Sequence, residues 1–207
     1  MGYNSKIYRS RGFRVSVSTG NIKMGNVLSI SFPPAITCIY NAPCAKECYA
    51  NKSFNMYETV RNAWTRNHET AAHAPAFFFN SIADAIRSTP SHLFRVHVSG
   101  DFFAKWYMRA WYDFANEECA RGTQFLAFTK RYSWAESLDH ARPRNFTTVL
   151  SAWPKLDMSE TDLPVAYMQD GNETRVPIGA KECAGDCENC AFCFTMKEND
   201  SVFFHKH

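Results

Sequence analysis

Seven of the eight cysteines in this chain fall into two groups, and cysteine thiolates are the ligands that hold zinc and iron–sulfur clusters. The first group is Cys38, Cys44 and Cys48, and the second is Cys183, Cys187, Cys190 and Cys193. Four thiolates can complete the coordination of a metal centre, whereas three leave one position open for chemistry. The two counts therefore predict an open metal centre and a closed one.

The first group lies in the segment TCIYNAPCAKECYA, with five residues between Cys38 and Cys44 and three between Cys44 and Cys48. This loop joins a predicted strand to a predicted helix, so its three thiolates can face one centre. They can hold a [4Fe–4S] cluster by three of its irons. They can equally hold zinc, with one water or with a fourth ligand such as His68. Spacing alone does not choose between these metals.

The second group lies in ECAGDCENCAFCF, with gaps of three, two and two residues. Four cysteines this close together cannot easily surround one zinc, which prefers two separated pairs. The run over 187–193 is closer to ferredoxin spacing, which favours an iron–sulfur cluster. A zinc site completed by His205 or His207 is the alternative.

Composition sets the frame for these sites. With 207 residues and 45% hydrophobic content, the chain can bury a sizeable core. A net charge of +3 is too small to indicate nucleic-acid binding by itself. The N-terminal arm is more basic, with no acidic residue before Glu47, and its cations are Lys6, Arg9, Arg11, Arg14 and Lys23. The arm is either a solvated edge or a surface for a phosphate-bearing partner such as nucleic acid.

The compartment follows from what the sequence lacks. No apolar run approaches the roughly 18 residues of a membrane span, and the N-terminus has no signal-peptide pattern. We therefore expect a cytoplasmic protein with no membrane partner. In that reducing compartment, clustered cysteines are metal ligands rather than disulfides. Cys119, away from both groups, is expected to be a small buried hydrophobe.

Strand and helix patterns alternate along the chain. The predicted strands cover 14–18, 27–32, 93–98, 124–128, 146–150 and 165–168. The predicted helices run from residue 56 to Pro75 and over 76–87, 102–120 and 132–140. One face of the helix over 102–120 is expected in the core through Trp106, Tyr107, Ala110, Trp111 and Phe114. This alternation favours an α/β fold with a parallel sheet, open or curled into a partial (β/α) barrel.

We expect two units, an α/β domain over 1–170 and a small Cys-rich C-terminal extension over 171–207. In such folds the site lies beyond the carboxyl ends of the strands. The segments there are 34–48, 99–101, 129–131 and 151–154, which are small, polar or charged and should converge on one rim. Asp101 can also cap the helix that follows it.

The order of these features resembles the start of a radical S-adenosylmethionine enzyme. The resemblance consists of a strand, a three-cysteine loop ending in Cys-Tyr-Ala, a helix, and a strand ending in Ser99-Gly100-Asp101. In that superfamily, three cysteines hold a [4Fe–4S] cluster whose open iron binds the cofactor. The usual cysteine spacing there is three then two, whereas this loop has five then three. The second cysteine group resembles the auxiliary cluster of many such enzymes.

The same resemblance implies a set of cofactor-binding residues at the strand ends and directly after Cys48, but it names no catalytic residue. They are Tyr49, Ser99, Gly100, Asp101, Thr129, Lys130 and Ser151. In the superfamily, the motif at the position of 99–101 contacts the methionyl amine of the cofactor. Later strand ends provide ribose and carboxylate contacts.

Nearly the whole chain also resembles the phage and plasmid family known only as gene product 88. The matching stretches are KMGNVLSISFPP, CAKECYA, VRNAW, HVSGD, FLAFTK, VLSAWP, PVAY and the segment over 183–193. The family name carries no activity. If a phage encodes the chain, the expected compartment is the host cytoplasm.

Together these features favour an iron–sulfur enzyme of the radical S-adenosylmethionine type. Supplied with an electron donor, the cluster of the first group would cleave S-adenosylmethionine, and the resulting radical would abstract hydrogen from a substrate. That substrate is unknown, with a nucleotide or nucleic acid among the candidates. The alternative function is a non-catalytic iron–sulfur or zinc protein that binds nucleic acid or a host protein.

Overall fold

The computed structural model describes residues 4–153, 161–169 and 176–205. Its strands are β1 (Ser5–Ser10), β2 (Phe13–Ser18), β3 (Leu28–Ser29), β4 (Leu93–Val96), β5 (Gln124–Thr129), β6 (Phe146–Ser151), β7 (Val165–Gln169), β8 (Lys181–Glu182) and β9 (Ser201–His205). In the described ranges they form one nine-stranded sheet of order β1-β2-β3-β4-β5-β6-β7-β9-β8. The pairs β1–β2 and β2–β3 are antiparallel, and all the other neighbouring pairs in this order are parallel. The predicted α/β class with a mostly parallel sheet is confirmed.

The helices are α1 (Tyr49–Met56), α2 (Glu58–His73), α3 (Pro75–Arg87), α4 (Lys105–Ala115), α5 (Tyr132–Leu138) and α6 (Cys187–Cys190). The helix predicted over 102–120 is shorter than expected, because α4 begins after Ala104 and a separate 3-10 turn covers Glu118–Ala120. The predicted cap at Asp101 is therefore wrong, since α4 starts beyond its reach. No helix in the described part of the chain is long and apolar enough to cross a membrane.

The two faces of the sheet are covered by different parts of the chain. Phe94, Phe125 and Phe146 are register partners on adjacent strands and pack on the helix side with α4. Alternate residues such as Leu126 and Val149 point to the other face, where they pack against residues of the segment 183–196. The second cysteine group thus covers the face of the sheet that the helices leave open.

The core positions predicted on α4 are largely correct. Tyr107, Trp111 and Phe114 are buried, but Trp106 is 48% exposed, because it lies at the edge of the buried face of the helix. Cys119 is half-buried and packs against the helix-side core.

Three strands escape prediction, and two predicted strands are shorter than expected, since the one predicted over 93–98 ends at Val96. β1, β8 and β9 have no counterpart among the predicted elements, and β9 lies between β7 and β8, so the Cys-rich segment contributes strands to the sheet. The strand predicted over 27–32 is reduced to β3. Its backbone contacts continue, since the amides of Ile30 and Phe32 donate to the carbonyl oxygens of Arg95 and Ser99 at 3.3 and 2.9 Å.

Candidate functional site

The loop that carries the first cysteine group is fastened to the motif at the end of β4. The Thr37 hydroxyl accepts a hydrogen bond from the Asp101 amide at 3.2 Å and donates to the Pro33 carbonyl oxygen at 2.9 Å. The Ser99 hydroxyl donates to the Phe32 carbonyl oxygen at 3.0 Å. The chain before Cys38 and the motif at 99–101 therefore form one bonded unit.

Gly100 is required where these two segments meet. Its φ is +83°, a conformation that side chains rarely adopt. A Cβ atom there would lie 2.5 Å from the Thr37 hydroxyl oxygen and 2.9 Å from Cβ of Phe32. The close approach of the cysteine loop to this strand end thus depends on the missing side chain.

Asp101 is the polar centre of the rim. Its Oδ1 accepts hydrogen bonds from the Phe102 amide and the Thr129 hydroxyl, both at 2.7 Å, and its Oδ2 accepts from the Lys130 amide at 2.9 Å. Burial raises the pKa of this carboxyl, and the three hydrogen bonds oppose that rise. The carboxylate thereby joins the end of β4 to the end of β5.

Arg131 attaches the cysteine loop from the other side. Its guanidinium donates to the carbonyl oxygens of Phe102, Thr37 and Cys38 at 3.0, 3.2 and 3.0 Å. The same group stacks over the ring of Trp134 at 4.6 Å. Arg131 belongs to the predicted rim segment 129–131 but not to the predicted cofactor-binding residues. Its position after β5 is visible in the sequence, but the carbonyl oxygens that it reaches are not.

The other predicted cofactor-binding residues lie on the same rim. The Tyr49 hydroxyl donates to the Val98 carbonyl oxygen. The Lys130 ammonium lies 5.6 Å from the centre of the Trp153 ring, and the Ser151 carbonyl oxygen accepts from the Tyr132 hydroxyl. The structure thus brings together the ends of β3, β4, β5 and β6. Pro154, which belonged to the predicted rim, lies outside the described residues.

Within each cysteine group, the thiols are close enough to influence one another. Burial, followed by the charge of Asp101, raises the pKa of Cys38 to about 11, and Cys44 and Cys48 add to the rise. Burial also raises the pKa of Cys193 to about 12, with further contributions from Cys183 and Cys187. Ionising one thiol next to another is unfavourable without a compensating cation, and a bound metal supplies that charge.

The thiols are not arranged as the coordination sphere of a single ion. Within the described ranges, no three His, Cys, Asp or Glu side chains form a group that fits one metal ion. His68, the suggested fourth ligand of the first group, instead packs its ring against Phe32 and Phe103. His205 pairs with Glu182 at 2.8 Å, and His207 lies outside the described residues.

Arg95 connects the surroundings of the two cysteine groups. It projects from β4 with its guanidinium 4.9 Å from the ring centre of Phe128, and its buried Nε has no hydrogen-bond partner within the described ranges. Burial raises the pKa values of Cys187 and Cys193, and the Arg95 charge opposes both rises. The same charge acts on Tyr49, which follows Cys48. Sequence reasoning missed this residue. Because side chains alternate along a strand, Arg95 lies on the opposite face from Phe94 and Val96, which is the cysteine-bearing face covered by the second cysteine group.

The second cysteine group is held against the turn between β2 and β3. The Glu188 carboxylate accepts from the backbone amide of Asn26 at 2.9 Å and from its side-chain amide at 2.7 Å. A Cβ atom at Gly25, whose φ is +68°, would lie 2.2 Å from a Glu188 oxygen. The Cys187 amide also donates to the Lys23 carbonyl oxygen at 3.4 Å. The second cysteine group is thus positioned by contacts with residues that are far away in sequence.

Comparison with known proteins places the chain in a lineage. The family model described as gene product 88 matches residues 14–196. The Gene 88 protein of Mycobacterium phage L5 is 29% identical over 147 residues, which cover 65% of this chain and 61% of the relative. The Gene 88 protein of Mycobacterium phage D29 is 28% identical over 151 residues, covering 65% of this chain and 60% of the relative.

The chain thus spans about three fifths of the length of these two curated relatives. No solved structure gives a significant match. Because the family model covers most of the sequence, including both cysteine groups, the chain belongs to the gene product 88 family.

Proposed function

We propose that this protein is an iron–sulfur enzyme of the radical S-adenosylmethionine type. In this proposal Cys38, Cys44 and Cys48 hold an open [4Fe–4S] cluster, and the quartet over 183–193 holds an auxiliary cluster. The observation that carries the proposal is the position of the three-cysteine loop at the carboxyl ends of parallel strands, bonded to the motif at 99–101. Soft thiolates are the donors that iron–sulfur centres use.

The proposal extends to the shape and organisation of the molecule. The sheet would curve as a partial (β/α) barrel around the cysteine-bearing face, within a domain over 1–170. The Cys-rich segment over 171–207 would close that face. The protein would act in the host cytoplasm with an electron donor, S-adenosylmethionine and a substrate that is a nucleotide or a nucleic acid.

The residues of the chain would bind and position these groups. An open [4Fe–4S] cluster supplies the electron for reductive cleavage of S-adenosylmethionine. Arg131 holds the cysteine loop in place through its backbone carbonyl oxygens, and the Thr37 hydroxyl holds it by accepting from the Asp101 amide. Ser99, Gly100 and Lys130 present the strand-end surface on which the cofactor would lie. Arg95 places a positive charge beside the thiolates of the second group, where it offsets part of their negative charge.

The decisive experiment is anaerobic reconstitution with iron and sulfide, followed by addition of S-adenosylmethionine to the reduced protein. About eight irons per chain and release of 5′-deoxyadenosine are expected. Cys44→Ala should lose about half of the iron and all cleavage, because it removes one ligand of the open cluster. Cys190→Ala should lose the other half of the iron and keep the electron paramagnetic resonance signal of the first cluster. Loss of all iron in either variant would contradict two separate centres.

The same experiment separates the enzyme from its alternative, a non-catalytic metal protein that binds nucleic acid or a host protein. Purification with zinc alone would favour the alternative. So would iron–sulfur clusters that leave S-adenosylmethionine intact under a strong reductant. The basic arm is the observation that favours this alternative.

A further inference from the structure

The hairpin formed by β1 and β2 places like charges opposite each other. Arg9 and Arg14 are register partners on the two antiparallel strands. Side chains of directly opposed residues lie on the same face of a hairpin, and like charges in that position destabilise it. A hairpin selected for stability alone would not keep this pair.

A third arginine joins the pair from a helix. The Thr70 hydroxyl, one helical turn after Arg66 on α2, accepts a hydrogen bond from the Arg14 amide at 3.2 Å, which places Arg66 near this end of the hairpin. Burial lowers the pKa of Arg14, and the charges of Arg9 and then Arg66 lower it further. The Nε atom of Arg14 is buried and has no hydrogen-bond partner among the described residues. In the part of the chain that the structure describes, no acidic side chain forms an ion pair with any of the three. Among the described residues, the positive charge of the cluster is therefore not neutralised by an ion pair.

The turn of the hairpin adds a fourth arginine at a conformational cost. Arg11 and Gly12 form the two-residue turn, with φ values of +45° and +87°. Glycine and asparagine are the residues that such turns favour at both positions, because other side chains are strained there. Arg11 is exposed at the tip, where its side chain does not contribute to the core. Strain retained at an exposed residue favours a functional role for that residue.

We propose that Arg9, Arg11, Arg14 and Arg66 form a binding surface for the phosphate backbone of a nucleic acid. Guanidinium groups donate paired hydrogen bonds that match phosphate oxygens, and a bound polyanion relieves the repulsion within the cluster. A lipid surface fits less well, because the exposed neighbours at the tip are Ser10 and Gly12 rather than large apolar side chains. The inference does not require a metal centre, so it can hold or fail independently of the proposed enzyme activity.

The test measures binding of the full chain to fluorescein-labelled DNA, single-stranded and duplex, of about 20 nucleotides. Fluorescence anisotropy is followed over a series of salt concentrations. The test variant combines Arg9→Gln, Arg11→Asn and Arg66→Gln, and leaves half-buried Arg14 in place. The control combines Lys105→Gln, Arg109→Gln and Lys197→Gln, which remove the same charge from exposed positions elsewhere on the surface.

The test variant should bind at least tenfold more weakly at about 0.1 M salt. The slope of its log binding constant against log salt concentration should be shallower by the equivalent of about three phosphate contacts. The control should stay within about twofold of the wild type. The thermal midpoint of the test variant should equal or exceed that of the wild type, because repulsion and turn strain are both reduced. This measurement excludes unfolding as the cause of weaker binding.

Three results would overturn the inference. One is that the wild type binds neither DNA at about 50 mM salt, where backbone contacts are strong. Another is that the test variant and the control bind equally well. The third is binding to vesicles of anionic phospholipid in the absence of binding to DNA.

Discussion

At the scale of single residues, Gly100 determines how closely the cysteine loop approaches the sheet. Two penalties would follow from a side chain at this position, one from the backbone conformation and one from contact with Thr37 and Phe32. Gly12 has nearly the same φ, +87°, but nothing lies within 4 Å of the position of its absent Cβ. Comparing substitutions at the two glycines therefore separates the energetic cost of the backbone strain from that of the steric contact.

Gly100→Ala should lower the free energy of unfolding by roughly 2–4 kcal/mol, because strain at positive φ adds to displacement of the Thr37 side chain. Gly12→Ala should cost only about 1 kcal/mol, since it has the strain without the contact. Urea denaturation followed by circular dichroism gives both values. Equal losses in the two variants would show that the close approach at Gly100 has no energetic effect.

His97 is a second residue whose environment sets its properties. It has a φ of +59°, is almost fully buried, and packs its ring against Phe32 and Phe102. Its Nε2 lies 3.3 Å from the Tyr107 hydroxyl, and no group in the described part of the chain forms a hydrogen bond with its Nδ1. Burial lowers the pKa of His97 to about 3, and the charge of His68 contributes further. The folded protein thus holds this imidazole neutral.

This histidine should make folding stability depend on pH. An unfolded histidine binds a proton below about pH 6.5, whereas His97 in the folded protein stays neutral down to about pH 3. The contribution of His97 to the free energy of unfolding is therefore fully present above about pH 6.5. It is lost as the pH falls from about 6.5 towards about 3. The expected slope is about 1.4 kcal/mol per pH unit.

The prediction is checked by urea denaturation of the wild type and His97→Phe between about pH 7 and pH 5, above and below the titration of an unfolded histidine. As the pH falls below about 6.5, the free energy of unfolding should decrease less steeply in the variant than in the wild type. The difference between the two slopes should approach about 1.4 kcal/mol per pH unit. His92→Gln at an exposed position is the control and should follow the wild type. If His97→Phe also follows the wild type, the imidazole is not held neutral in the fold.

At the scale of elements, the cysteine loop is held by hydrogen bonds to its backbone carbonyl oxygens. Arg131, which lies between β5 and α5, reaches three carbonyl oxygens on two other segments. A lysine in its place keeps the charge but lacks the fork of donors, so it cannot make all three bonds in the same geometry. Arg131 therefore couples the end of β5 to the loop that holds Cys38.

Arg131→Lys should loosen this loop in the metal-free protein. The rate of alkylation of Cys38 by iodoacetamide, followed by mass spectrometry, should rise severalfold as transient opening becomes easier. Cys119 serves as an internal control, because it lies in a 3-10 turn away from the loop, and its rate should not change. An unchanged rate at Cys38 would show that the contacts of Arg131 do not restrain the loop.

The elements that sequence patterns predict well are those with a strong hydrophobic period. The buried strands β5 and β6 and the amphipathic helices α3 and α4 fall into this class. β8 has only two residues, both exposed, so its formation depends on pairing with β9 rather than on its own sequence. The rim segments could be placed from strand order, since parallel strands end at one edge of a sheet. The partners of Arg131 and Arg95 depend on tertiary packing and have no local signal.

At the scale of the whole molecule, the second cysteine group is part of the structure that covers one face of the sheet. Cys183, Cys187 and Cys193 pack beside Phe194 and Val202 in the core of that face. A metal bound there would add its binding free energy to the stability of the fold, because the unfolded chain has no preformed site. Metal content and global stability should therefore change together.

Removal of metal by an anaerobic chelator should lower the thermal midpoint of the reconstituted protein by several degrees. Cys190→Ala should show a lower midpoint before treatment and a smaller response to the chelator. Cys119→Ala should respond like the wild type, because Cys119 belongs to neither group. Differential scanning calorimetry gives these midpoints. A wild-type midpoint that is the same with and without metal would exclude a structural metal in this segment.

The position of β9 sets an order in time for a protein made from its N-terminus on the ribosome. β9 is synthesised after both of its neighbours, yet it lies between them and pairs with each. Until it emerges, β7 offers an open edge and β8 has no described strand to pair with. The face of the sheet that the second cysteine group covers can therefore be completed only late in synthesis. A cofactor that needs this completed face would be loaded after translation has passed β9.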